Sequence, residues 1–405
     1  MMARFAPIAL HPMSAGLNNA QLEAVNYVSG PCLVLAGAGS GKTRVITHKI
    51  GRLIEAGLEP KRIAAITFTN KAAREMRERV AKRIKGDAAE GLTVTTFHSL
   101  GLRFLQIEHE RAGLRRGFSI FDADDQMSII KDLSPQGLKN DALYALQNLV
   151  STAKNNALTP EQAAEAARSV REREAAAIYA RYQARLQAFN AVDFDDLIRL
   201  PLTLLEADPD LAAGWRERIR YLLVDECQDT NGAQYRLLKQ LAGPKGNMTC
   251  VGDDDQSIYA WRGAQPENLE LLAQDYPALK VIKLEQNYRC SGRILRCANT
   301  LIEKNPHKHL KQLWSQHGDG EPVRVWACTN NEHEAERVAA EIHYLHQGKE
   351  IPWGEMAILF RGNHQSRPLE KALQLLRIPY HLTGGTKFLD RAEVKDALCW
   401  LQVLA

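Results

Sequence analysis

A short apolar segment followed by a glycine-rich turn constrains the fold of this chain more than any other feature. Residues Cys32–Ala36 have the pattern of a buried strand, the turn runs to Gly41, and a helical pattern begins near Lys42. The segment from Ala36 to Thr43 matches a phosphate loop, with alanine where the general pattern has its first glycine. In such a loop the backbone N–H groups and the helix N-terminus surround phosphate oxygens. The segment therefore predicts a strand, loop and helix that bind a nucleotide.

Every position of this phosphate loop is a candidate contact. Lys42 is expected to reach the β and γ phosphates, and Thr43 to ligate Mg²⁺. The alternative is a surface glycine turn that binds nothing. The candidate nucleotide contacts are Ala36, Gly37, Ala38, Gly39, Ser40, Gly41, Lys42 and Thr43.

Strand and helix patterns alternate on both sides of an alanine-rich helical stretch at 106–192. Repeated βα units favour a parallel sheet with helices on both faces, so the prediction is an α/β P-loop NTPase fold with a helical insertion. The further predicted strands are Ile63–Phe68, Thr93–Thr96, Tyr221–Val224, Met248–Val251 and Val281–Leu284, and a basic helix is predicted at Lys71–Lys85.

A second α/β domain is predicted after Arg289. It should contain strands at Val323–Ala327 and Met356–Phe360 and helices at Glu332–His346 and Gln365–Leu376. A Gly384-Gly385 hinge would precede a last helix, Ala392–Leu404, which stops without a cap or polar tail. From this ending we expect the chain to be cut short.

Two acidic residues end the apolar run Tyr221–Val224. Ligands of doubly wound sheets bind at the carboxyl ends of the strands. Asp225 is therefore a candidate metal ligand, and Glu226 a candidate base that orients and deprotonates a water molecule. The alternative is an acidic start to the next helix.

The charge distribution, the cysteines and the apolar runs indicate the cellular compartment and the kinds of partner. The net charge is only +4, but the segment from Arg44 to Lys85 holds twelve Lys/Arg against four Asp/Glu. The seven scattered cysteines form no C-x-x-C pair, which favours a reducing, cytoplasmic setting without structural zinc. No apolar run approaches the roughly 20 residues that span a bilayer, so no membrane partner is expected.

Three further strings complete the pattern: Leu17–Gln21, the segment Gly252–Arg262 with sequence GDDDQSIYAWR, and Gln286–Arg289 with sequence QNYR. With these strings the chain resembles the superfamily 1 DNA helicases of the UvrD, PcrA and Rep group, and most of all the Rep branch. The resemblance runs from Leu17 to Ala405. It implies two RecA-like domains and an ATP-dependent helicase that moves 3′ to 5′ on single-stranded DNA in replication or repair.

The resemblance also implies roles for single residues. Gln21 would read the adenine edge, Tyr288 would stack on the base and Arg44 would lie close to the nucleotide. Gln256 would sense the γ-phosphate, and Arg289 would act as an arginine finger. The catalytic set is then Lys42, Glu226, Gln256 and Arg289, with ATP and Mg²⁺ as cofactors.

Single-stranded DNA binding needs flat apolar surfaces for bases and polar or cationic groups for phosphates. Phe68 and Phe194 could equally be core aromatics, and the basic helix a solvated face. The candidates that the resemblance implies are Phe68, Asn70, His98, Ser99, Phe194, Tyr259, Trp261 and Arg262.

The family pattern divides the chain further. It implies a first RecA-like domain at 13–105 and 193–289, the insertion at 106–192, an incomplete second RecA-like domain at 290–386 and the opening of another, truncated insertion at 387–405. Residues 1–12 precede a second methionine, Met13, and are expected to be a disordered tail or a start artefact. The expected partners are single-stranded DNA, single-strand/duplex junctions and replication-fork proteins.

Three alternatives stay open on the sequence. The chain could be a nucleotide-dependent DNA-binding module without turnover, because the family's late motifs are not in it. It could be the motor of a helicase-nuclease, although no nuclease metal cluster is evident. A P-loop kinase or transporter ATPase is the third, and the strings around Gln256 and Arg289 argue against it.

Overall fold

Apolar runs such as Cys32–Ala36 and Tyr221–Val224 form buried strands in the computed structural model, which describes residues 16–84, 86–305 and 310–383 together with Val394, Ala397 and Trp400. These residues fall into two units, one reaching Glu321 and the other starting at Pro322. Residues 290–321 group with the first unit, and the domain boundaries given above stay predictions. The predicted tail at 1–12, the Gly384-Gly385 hinge and the final helix lie outside the described residues, apart from the three isolated positions.

Six strands of the first unit pair into one parallel sheet, in the order β3-β2-β6-β7-β1-β8. This sheet confirms the predicted α/β class. The strand β1 lies between β7 and β8, so its ladder partners come from much later in the chain. The strands are β1 Cys32–Ala36, β2 Ile63–Thr67, β3 Thr93–Thr96, β4 Ser119–Phe121, β5 Ala191–Asp193, β6 Tyr221–Val224, β7 Met248–Gly252, β8 Lys280–Leu284, β9 Gln286–Asn287 and β10 Trp314–Ser315.

Helices cover both faces of this sheet because alternate strand residues point to opposite sides. In β1, Leu33 and Leu35 join one buried cluster and Val34 joins the other. The helices of the first unit are α1 Asn19–Asn26, α2 Lys42–Glu55, α3 Asn70–Arg83, α4 Phe97–Ile107, α5 Ala123–Leu133, α6 Asn140–Asn155, α7 Pro160–Ala166, α8 Val170–Ala188, α9 Asp196–Ala207, α10 Pro209–Arg218, α11 Gly232–Ala242, α12 Asn268–Asp275 and α13 Gly292–Ile302. The helices α1, α2 and α3 pack on one face, and α4 and α9 to α12 on the other.

The helices α5, α6 and α8 share a core of their own, which includes Ile130, Val150, Tyr179 and Tyr182. The expectation that strands stop between 106 and 192 is wrong in one detail. The strands β4 and β5 pair in parallel and close this helical part at its two ends. A three-residue ladder is too short to leave a clear alternating pattern in the sequence.

Residues 322–383 of the second unit include the helices α14 Asn331–Lys349 and α15 Ser366–Leu375, as predicted. They pack around Ala335, Ala339 and Leu373. The strands predicted at Val323–Ala327 and Met356–Phe360 are wrong for the described residues, which form no strand there. A strand needs a hydrogen-bonded neighbour, and the described part of this unit supplies none.

Among the described helices, none combines the length and the apolar character needed to cross a membrane.

Candidate nucleotide and DNA site

The phosphate loop joins β1 to α2 through backbone conformations that favour glycine. Gly39 has φ +71°, and Gly41, the N-cap of α2, has φ +92°. Inside the loop the hydroxyl and backbone N–H of Ser40 both donate to the carbonyl of Gly37, at 2.7 and 3.2 Å. The turn is therefore held by its own bonds, and the first N–H groups of α2 are available for a phosphate.

An ion pair joins the loop to the acidic end of β6. The Nζ atom of Lys42 donates to Oε2 of Glu226 at 2.8 Å, and the Lys42 side chain is only 12% exposed. Glu226 has φ +51°, a left-handed conformation that is uncommon for a residue with a side chain. The same oxygen accepts a bond from Nε2 of Gln228 at 3.0 Å. The predicted phosphate-binding cation and the candidate base thus lie together.

Asp225 is buried at the end of β6, beside Glu226. Burial, together with the charge of Glu226, raises the pKa of the Asp225 carboxyl to about 7. The carboxylate of Asp225 and the hydroxyl of Thr43 are hard oxygen donors, the kind that Mg²⁺ prefers. A divalent cation between them would favour the ionised carboxylate, so the donor set fits the metal.

A second group of contacts surrounds the predicted adenine residues. Gln21 is fully buried, and its Nε2 atom donates to the carbonyl of Ser40 at 2.8 Å. Asn18 is the N-cap of α1 and forms a capping box with Gln21. Its side-chain amide also donates to the hydroxyl of Tyr288 at 2.9 Å. Gln21 and Tyr288 are therefore linked through one residue next to the phosphate loop. Arg44 is exposed on the first turn of α2.

The residues after β8 pack directly on the loop. The Nδ2 atom of Asn287 donates to the carbonyl of Ala38 at 2.5 Å. The backbone N–H of Tyr288 donates to the carbonyl of Gly39 at 2.9 Å. The side chain of Asn287 also accepts from the N–H of Arg289 at 2.8 Å. A Cβ atom on Gly39 would lie 2.7 Å from Cβ of Arg289. The backbone of the predicted arginine finger is thus anchored beside the phosphate loop, and the residue is exposed.

Gln256 lies in the turn that follows β7. Its Nε2 atom donates to Oδ2 of Asp253, whose own N–H donates to Oε1 of Gln228 at 3.0 Å. Because Gln228 also bonds to Glu226, one hydrogen-bonded network joins Gln256 to Lys42.

The DNA candidates form two groups of aromatic rings. In the first group, Phe68 meets Phe97 edge-on with ring centroids 6.0 Å apart, and His98 meets Phe194 edge-on at 5.9 Å. Phe68 packs against the core, whereas Phe194 is 49% exposed. Burial lowers the pKa of His98, which favours a neutral ring. Asn70 and Ser99 are exposed, at the starts of α3 and α4.

A buried charge network supports Phe194. The Nζ atom of Lys154 lies 2.6 Å from Asp193 and 2.9 Å from Asp196, and its side chain is fully buried. Arg199 lies 2.9 Å from Asp196. The backbone on both sides of Phe194 is therefore fixed to α6 and α9 by buried ion pairs, while the ring itself is half exposed.

The second group lies on the loop after Gln256, where the rings of Tyr259 and Trp261 are 6.3 Å apart and Trp261 is 68% exposed. The side chain of Arg262 lies outside the described residues. Asn155, at the end of α6, accepts a bond from Asn231 at 2.7 Å and approaches Gly263 of this loop.

Comparisons with known proteins show the family to which this chain belongs. Residues 17–277 match the UvrD/REP helicase N-terminal domain, and residues 282–405 match the UvrD-like helicase C-terminal domain. The chain belongs to the UvrD/Rep helicase family. It is 53% identical to the ATP-dependent DNA helicase Rep of Escherichia coli over 96% of this chain and 58% of that protein. It is 42% identical to the ATP-dependent DNA helicase PcrA of Bacillus subtilis over 96% of this chain and 53% of that protein. The chain thus spans a little over half of the length of these relatives.

Within this UvrD/Rep fold, the structure gathers the predicted nucleotide residues around one loop and leaves the DNA candidates in two groups. Sequence reasoning missed Asn18, Gln228, Asn287 and Lys154 as members of the site. Asn18 and Asn287 stand inside strings that were quoted for other residues. No sequence motif marks Lys154, because its partners Asp193 and Asp196 lie 39 and 42 residues further along the chain.

Proposed function

We propose that this chain carries the ATPase centre of a DNA helicase that uses ATP and Mg²⁺ to move 3′ to 5′ along single-stranded DNA and to unwind duplex in replication or repair. The observation that carries the proposal is the 2.8 Å contact between Lys42 and Glu226. It brings a phosphate-binding cation and a carboxylate base to the same edge of the sheet in a member of the UvrD/Rep family. The relatives' names, ATP-dependent DNA helicase Rep and PcrA, point to the same activity.

The chemistry that we propose follows from the charges of the site. ATP would replace Glu226 as the partner of Lys42, because the phosphate oxygens offer this ammonium more negative charge. Glu226, released from the ion pair, would accept a proton from the attacking water. Thr43 and Asp225 would hold Mg²⁺, which neutralises charge on the phosphates. Gln256 would face the γ-phosphate, and Arg289 would stabilise the charge that develops during transfer.

Base recognition and DNA binding complete the proposal. Gln21 and Tyr288 would hold the adenine, and Arg44 would lie near the nucleotide. Phe194 and Trp261 offer exposed rings on which bases stack, and stacking tolerates any base sequence. DNA would then raise turnover through the loop that joins Gln256 to Trp261. The remaining DNA candidates, Phe68, Asn70, His98, Ser99, Tyr259 and Arg262, would line the same path.

We also propose a reducing, cytoplasmic setting, supported by the free thiols of the cysteines in the described part of the chain. Single-strand/duplex junctions and replication-fork proteins are the proposed partners.

The test is steady-state ATP hydrolysis by the chain with and without an oligothymidylate, and with Glu226→Gln as the inactive variant. Loss of a general base lowers turnover about 10²- to 10⁴-fold, so DNA-stimulated turnover should fall by at least 100-fold while nucleotide binding is kept. Glu110→Gln makes the same change at an exposed site and should behave as wild type. Nucleotide binding without turnover in the wild type would favour the DNA-binding module without hydrolysis, and absence of nucleotide binding would refute both.

The direction of movement has a separate test. Helicase activity is measured on duplexes with either a 3′ or a 5′ single-stranded tail. Unwinding of only the 3′-tailed duplex is the expected result, and preference for the 5′ tail would contradict the proposed direction.

A further inference from the structure

A lysine with a buried side chain, from outside the recognised motifs, lies against the turn after β7. We call residues Asp253–Asp255 the acidic turn. The Lys311 side chain is 2% exposed, and its Nζ atom contacts carboxylates of Asp253 and Asp254 and lies 2.9 Å from that of Asp255. These contacts raise the pKa of Lys311 against the opposing effect of burial, so the ammonium is charged at neutral pH.

The acidic turn is hydrogen-bonded toward the phosphate loop. One carboxylate oxygen of Asp253 accepts from Gln256, and the other contacts Lys311. The N–H of Asp253 bonds to Gln228, and Gln228 bonds to the oxygen of Glu226 that pairs with Lys42. The positive charge of Lys311 thus lies at one end of a network whose other end is the phosphate-binding lysine.

The segment that carries Lys311 is itself fixed to the site. The strand β10 pairs in parallel with β9, and the N–H of Trp314 donates to the carbonyl of Glu285 at 3.1 Å. Asn299 of α13 donates to the carbonyl of Leu313 at 2.9 Å. A Cβ atom on Gly37 would clash with a methyl carbon of Leu313, so this segment covers the phosphate loop. Lys311 is therefore held in place by its backbone as well as by its charge.

We propose that Lys311 is a positioning residue of the ATPase site, which balances the charge of the acidic turn and thereby sets the side chain of Gln256. The inference rests on the proposed function, because it assigns Gln256 to the γ-phosphate. Without the ammonium of Lys311, the negative charge of the acidic turn is no longer neutralised and repels phosphate groups at the nucleotide site more strongly. Asp253 also loses the cation that contacts the carboxylate oxygen not bonded to Gln256. ATP carries one more phosphate than ADP, so its binding should suffer more.

The experiment measures equilibrium binding of a fluorescent, non-hydrolysable ATP analogue and of fluorescent ADP, with Mg²⁺ and without DNA. Lys311→Met should weaken binding of the ATP analogue at least tenfold and that of ADP less than threefold. Lys311→Arg keeps the charge and should lie within threefold of wild type for both. The matched control is Lys239→Met, which removes a surface ion pair with Asp275.

A purely structural role for Lys311 would give a different pattern. Lys311→Met would then weaken both nucleotides equally, or Lys311→Arg would fail to restore the preference for the ATP analogue, and either result overturns the inference. If Lys311→Met does not fold, as judged by thermal unfolding, the double variant Lys311→Met with Asp254→Asn restores the charge balance. A recovered ATP preference in that variant supports the inference, and a lost preference overturns it.

The same binding experiment distinguishes an error in the proposed function from an error in this inference. A wild-type chain that binds neither nucleotide refutes the proposed function and this inference together. A wild-type chain that binds both, with a Lys311→Met variant that keeps the wild-type preference, refutes this inference alone.

Discussion

Replacement of Lys154 by methionine should destabilise the first unit strongly. The substitution keeps most of the side-chain volume but removes the ammonium that lies 2.6 Å from Asp193 and 2.9 Å from Asp196, all buried. Breaking a buried ion pair by removing one partner costs about 3–5 kcal/mol. Asp196 keeps Arg199 at 2.9 Å, and Asp193 keeps the hydroxyl of Tyr182 at 2.9 Å. We therefore expect the lower end, about 3 kcal/mol.

Urea unfolding followed by circular dichroism measures this loss. With a slope of about 3 kcal/mol/M, the midpoint should fall by about 1 M. Lys239→Met removes an exposed ion pair and should cost about 0–1 kcal/mol, which makes it the matched control. Adding Asp193→Asn to Lys154→Met removes one uncompensated charge and should recover part of the loss. A midpoint for Lys154→Met within 0.3 M of the control, on this roughly 1 M scale, would refute the reasoning.

Three more predictions concern other features of the first unit. Gly39→Ala should weaken binding of a fluorescent ATP analogue at least tenfold, because the added methyl meets Arg289 at a left-handed backbone; Gly57→Ala, also left-handed but with open space around it, should leave binding unchanged. Trp261→Ala should weaken oligothymidylate binding by about 1–3 kcal/mol in a fluorescence anisotropy titration, whereas the exposed Tyr144→Ala should not. Burial, together with the charge of Asp193, raises the pKa of Asp195 to about 7, so its contribution to stability is complete at low pH and is lost as the pH rises through 7. Asp195→Asn should therefore gain stability relative to wild type between pH 5 and pH 8 in urea unfolding, and a constant difference would contradict this assignment.

Most of the sheet could be predicted because strands such as Cys32–Ala36 and Tyr221–Val224 are short apolar runs, and because β3, with sequence TVTT, consists of β-branched residues. The run Cys32–Ala36 consists of apolar residues only, which is the pattern of a strand that is covered on both faces. In the structure all five of these residues are buried. The segment Val323–Ala327 has a similar composition, but Val325 is 91% exposed and the described residues offer it no ladder. Composition therefore indicates a tendency to form a strand, and the neighbour decides whether the strand forms.

The chemistry of the site was predictable where it is local in sequence. The phosphate loop and the pair Asp225 and Glu226 are continuous strings, and their spacing carries the signal. The partners of Lys154 and Lys311 are tens of residues away, and a lone lysine in a polar or helical segment has the pattern of a solvated side chain. Only the tertiary structure shows that both are buried against carboxylates.

The position of β1 in its sheet has a consequence for synthesis of the chain. Both ladder neighbours of β1, β7 and β8, begin more than 200 residues after β1 ends. At roughly 5–20 residues per second, the ribosome needs about 10–40 s to produce the first of them. For that time an apolar strand that carries the start of the phosphate loop has no hydrogen-bonding partner of its own, and a cell must keep it from pairing with other nascent chains. The nucleotide site can thus mature only late in translation, after the helices between β3 and β6 have left the ribosome.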